Sequence, residues 1–74
     1  MSFDELLTAA CESAGLPNTA RIQLPSAISK DTQKKVMKLT PEEFGKVLTT
    51  AIDTVNKGSV ESIDTLVRKQ LEKR

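Results

Sequence analysis

Four lysines crowd into one short stretch, Lys30, Lys34, Lys35 and Lys38, and they are the densest run of a single chemistry in the chain. Their ammonium groups can neutralise phosphates or meet an acidic protein surface. Residues 30–39 carry +3 (four Lys against Asp31), while residues 1–29 carry −2 (Arg21 against Asp4, Glu5 and Glu12). The remaining inventory is poor in catalytic chemistry. There is no histidine, and Cys11 is the only cysteine. A disulfide within the chain is therefore excluded, and one thiol cannot make a zinc site. A nucleophilic Cys11 would want a neighbouring base, so a small buried hydrophobe is the expected role. No glycine-rich phosphate loop and no metal-ligand spacing occurs. The carboxylates fall mostly at helix starts, where capping accounts for them. No enzyme, no cofactor and no metal is expected.

The lysines need elements to carry them. The clearest is a helix from Thr40 to Gly58. Thr40-Pro41-Glu42-Glu43 reads as a capping box with proline at the first helical position. Phe44, Val47, Leu48, Ala51, Ile52 and Val55 then recur at three- and four-residue steps and share one face. Gly58 can take the left-handed conformation that ends a helix. The expected length is roughly 25 Å, and so wide an apolar stripe must be covered.

Ser2-Phe3-Asp4-Glu5 is a second capping box. Phe3, Leu6, Leu7, Ala10, Cys11 and Ala14 follow on one face. Gly15 and Pro17 stop that helix, with Leu16 placed to fold back as in a Schellman ending. Residues 17–29 read as an ordered loop between Pro17 and Pro25, in which Ile22 and Leu24 alternate with polar residues and plug the core. Ser29 to Leu39 reads as a short basic helix capped by Ser29 or Ser26, with the four lysines opposite a patchy apolar face of Ile28, Val36, Met37 and Leu39. A last helix is expected from a Ser59 cap, with Val60, Ile63, Leu66, Val67 and Leu71 apolar. Asp64 and Arg68 can form an i,i+4 ion pair on it, and Arg68, Lys69, Lys73 and Arg74 cluster at its end.

The chain has 74 residues, which sets one helical domain, 1–74, with a limited core. Self-association or a hetero-complex is expected as readily as a monomer. The formal net charge of +1 selects no partner. No apolar run approaches a membrane span, and Asp4 and Glu5 replace the basic region of an export signal. A lone cysteine without an export signal points to the cytoplasm.

Ser62-Ile63-Asp64-Thr65-Leu66 is similar to the Asp-Ser-Leu-Asp segment that carries phosphopantetheine in acyl carrier proteins. Glu61 stands where that family has Asp. Only a dozen residues follow, where the family has two further helices, so no prosthetic group is expected on Ser62. A helix-turn-helix reader asks for a small residue one turn before a turn glycine and an apolar residue beyond it. With Gly58 in the turn, the apolar place falls on Asp64 and a buried place on Lys57. With Gly15 in the turn, Cys11 fits, but the later place falls on Arg21.

The sequence thus predicts an all-α fold, a small bundle of three amphipathic helices plus one short basic helix. The expected function is a non-enzymatic protein–protein interaction or regulatory module working through an amphipathic helical surface. Its partner would be another protein or a second copy. DNA or RNA binding through the basic helix at residues 30–38 is the alternative. Lys30, Lys34, Lys35 and Lys38 are the candidate partner or phosphate contacts.

Overall fold

The computed structural model of the chain describes residues 2–73. Five helices follow one another: α1 (Phe3–Ala14), α2 (Asn18–Ala27), α3 (Lys30–Val36), α4 (Pro41–Asn56) and α5 (Ile63–Glu72), with no strand among the described residues. The all-helical class is as expected from the sequence; the helix count is higher by one.

The helix starts follow the local code. Thr40 Oγ1 accepts a hydrogen bond from the Glu43 amide at 3.2 Å, and Glu43 Oε1 accepts from the Thr40 amide at 3.0 Å. Ser2 and Glu5 make the same reciprocal pair at the start of α1. α1 ends in a Schellman motif: Leu16 N–H donates to Cys11 O at 2.8 Å and Gly15 N–H to Glu12 O at 3.3 Å, with Gly15 at φ 70°. α4 ends the same way at Gly58, φ 97°, with Ser59 N–H donating to Thr54 O at 3.3 Å.

α1 and α4 form the principal packed pair. Leu6, Leu7, Ala10 and Cys11 meet Phe44, Val47, Leu48 and Ala51, and all are buried. Each fully buried Leu or Phe contributes about 1.5–3 kcal/mol relative to exposure. Phe3 and Phe44 stack at a tilt, with ring centres 6.0 Å apart and planes at 52°. The two helices approach closely because position 45 is glycine. A Cβ there would stand 2.9 Å from the Ala10 carbonyl oxygen and 3.2 Å from Ala14 Cβ. Leu24 from α2, Ile28, Val36 from α3 and Val67 from α5 complete one core that draws on all five helices.

Residues 17–29 depart from the expected loop. Pro17 is the extended N-cap of α2, and the helix runs on through Pro25 in its last turn. Proline there removes only the bond to the Arg21 carbonyl, on an exposed residue where water can replace it. The burial pattern is helical: Ala20 is half-buried, while Leu24 and Ile28 are 2% and 3% exposed. Leu24 does reach the core, but Ile22 does not; it is 67% exposed. The alternating pair Ile22 and Leu24 thus falls on opposite faces of a helix, Leu24 inward and Ile22 outward.

The last helix also starts later than the sequence suggests. Ser62, not Ser59, is its cap, its Oγ accepting from the Thr65 amide at 3.3 Å. Ser59 is already committed to ending α4, and its Oγ accepts from the Glu61 amide at 3.1 Å. Val60 therefore leaves the apolar face and is fully exposed. Arg74, placed by the sequence with the terminal cations, lies outside the described residues.

Candidate functional site

Ser29 starts α3, its Oγ accepting from the Thr32 amide at 3.3 Å. Thr32 and Val36 turn inward and are fully buried. This orientation sends Lys30, Lys34, Lys35 and Lys38 outward, and all four are exposed. At 3.6 residues per turn Lys30, Lys34 and Lys35 fan over roughly 140° of the α3 surface, and Lys38 follows in the turn after it. None of the four makes an ion pair among the described residues, whereas Lys57, Arg68 and Lys69 each do. The lysines form a ridge and do not converge on one point. Lys30 and Lys34 edge a shallow trough of about 300 Å³ floored by Phe3 and Met37. Lys35 and Lys38 edge a second, of about 320 Å³, with Leu39 and Leu71 below and Arg68 and Glu72 on its far side.

A different surface lies where α2, α4 and α5 meet. Ala20, Gln23, Leu24 and Ala27 of α2 face Ile52, Val55 and Asn56 of α4 and Ile63 of α5 across a groove of about 320 Å³. Pro17 and Thr19 also line it, and no lining residue carries a charge. Its floor is the end of the α4 stripe. Phe44, Val47, Leu48 and Ala51 are buried, but Ile52 and Val55 are only half-covered. The sequence put all six on one core-facing stripe; α2 does not close fully over the last two.

Two polar contacts that fix the ridge lie outside sequence reasoning. Asp64 pairs with Arg68 at 3.4 Å, as its spacing predicts. The same carboxylate also accepts the Ser29 amide at 2.9 Å, at the positive end of α3. Partial burial acts to raise its pKa; the Thr32 hydroxyl, the Ser29 amide and hydroxyl, and the Arg68 guanidinium outweigh that and hold it below the usual carboxylate range. Gln33 Nε2 donates to the carbonyls of Pro25 at 3.2 Å and Ile28 at 3.0 Å, tying the end of α2 to α3. Of the two caps the sequence offers, Ser29 and Ser26, it is Ser29 that starts α3; nothing in the sequence marks Asp64 or Gln33 as its clamps.

Cys11 is 3% exposed. Burial pushes its thiol above the ordinary value, with the Arg21 charge opposing. The thiolate needed for nucleophilic chemistry is thus disfavoured. Ser62 spends its hydroxyl on the α5 cap, bonded also to Thr65 Oγ1 at 3.1 Å. Among the described residues, no cluster of three or more His, Cys, Asp or Glu side chains could hold a metal ion, and no helix is long and apolar enough to cross a membrane. No protein-family model matches the chain, and neither does any curated protein or solved structure.

Proposed function

We propose that this protein is a non-enzymatic interaction module that seats uncharged, apolar side chains of a partner protein in the groove between α2, α4 and α5. The observation that carries this reading is the uncharged lining of that groove. In a chain with 28% charged residues, ten lining positions without a charge make a surface that water solvates poorly. Ile52, Val55 and Ile63 supply apolar contact, and the Gln23 and Asn56 amides supply hydrogen bonds at the rim. This is the make-up of a groove that receives an amphipathic helix. The module works in the cytoplasm in this reading, and three amphipathic helices with one basic helix remain its working parts: α1, α4 and α5 build the scaffold, and α3 carries the lysines.

The test is capture from the protein's own cell extract, treated with nuclease, by the wild type and by Ala27→Lys. Ala27 is exposed on the groove wall near the end of α2, where a cation suits the helix dipole. The expected result is one protein held by the wild type and lost from the variant. Equal capture by both would remove the groove from the account. Capture that nuclease abolishes would favour the alternative, DNA or RNA binding through Lys30, Lys34, Lys35 and Lys38.

A further inference from the structure

We infer that the α3 ridge is a second docking surface, built for an acidic amphipathic segment of a protein partner. Its sign comes from the four lysines, which have no ion pair among the described residues. Their spacing is unfavourable within the chain itself. Lys30 and Lys34 stand one helical turn apart on α3, and like charges at that separation repel. A solvated surface gains nothing from such crowding. An anionic partner relieves it.

The apolar troughs decide what kind of anion fits. Both flanks of the ridge set lysines beside hydrocarbon: Phe3 and Met37 with Gln33 on one side, Leu39 and Leu71 on the other, where Arg68 offsets the Glu72 carboxylate on the far wall. Met37 is 36% exposed. A phosphate backbone would satisfy the lysines and leave these floors wet. A helix with alternating carboxylates and leucine-like side chains satisfies both. The ridge shares no lining residue with the uncharged groove, so this inference stands independently of the one above. The clamp by Asp64 and Gln33 holds the short helix in place before any partner arrives.

The probe is a synthetic helical peptide with leucines on one face and Asp and Glu elsewhere. It is compared with its Leu→Ser counterpart and with a short DNA duplex. Binding is followed by amide chemical shifts and by titration at low and moderate salt. The expected result is that shifts fall on residues 30–39 and 66–72, that the leucine peptide binds about tenfold or more tightly than the serine peptide, and that Lys34→Glu/Lys35→Glu weakens it by a similar factor. Both lysines are exposed, and circular dichroism verifies that the variant stays folded. Ala27→Lys should leave peptide binding unchanged. Equal binding of the serine peptide, tighter binding of the duplex, shifts confined to the groove, or no binding would each overturn the proposal. Concentration-dependent shifts of residues 30–39 without any peptide would do so as well, by showing a second copy on the ridge.

Discussion

Asp64 ties together two helices far apart in the chain. It joins α5 to the start of α3 through the Ser29 amide, and it is held ionised by hydroxyls and by Arg68. Its folded pKa lies below the ordinary value of about 3.9. The stabilisation is therefore present above that value and lost as pH falls through the folded pKa. Asp64→Asn should cost about 1–2 kcal/mol at neutral pH, and the gap between variant and wild type should close in strong acid. A constant gap in urea denaturation across that range would show that charge plays no part. Cys11 gives a second prediction at this scale. A thiol this covered, with its pKa raised, should react with a disulfide reagent only as fast as the fold opens. Rapid labelling in native buffer would contradict its place in the core.

The helices divide into those written locally and those imposed by packing. Both capping boxes, the Gly15 stop and the Asp64–Arg68 pair involve residues within a few positions, and the sequence shows them all. Thr40→Ala should accordingly cost about 1 kcal/mol, measured as a shift in the denaturation midpoint. α2 was not legible, because its burial depends on its neighbours. Leu24 and Ile28 acquire meaning only once α1 is beside them, and two prolines argued for a loop. Gly45 was silent for the same reason; nothing local marks the approach of α1. Gly45→Ala should destabilise by about 1–2 kcal/mol, although alanine is the better helix former by about 1 kcal/mol. The atom it would press on belongs to the Ala10 backbone, which cannot step aside as a side chain can. A stabilised variant would mean that α1 and α4 sit further apart.

At the scale of the molecule, the apolar residues exceed what one small core covers. The sequence showed the surplus as a continuous α4 stripe; it could not show where the cover ends, since that depends on how α2 and α5 lie over it. Ile52 and Val55 are where it ends. Ile52→Ala should therefore cost about 1 kcal/mol, below the 2–5 kcal/mol of a fully buried isoleucine. The lysines were legible as a basic segment, but not their separation into two flanks, which α1 and α5 determine. The most direct test of the groove as a partner site is photocrosslinking in the protein's own cells. A benzophenone side chain replaces Ala27 on the groove wall, or Glu12 on the exposed side of α1 as a control. The account predicts one adduct of defined mass from position 27, identifiable as a protein and absent from position 12. No adduct from position 27, or the same adducts from both positions, would contradict it.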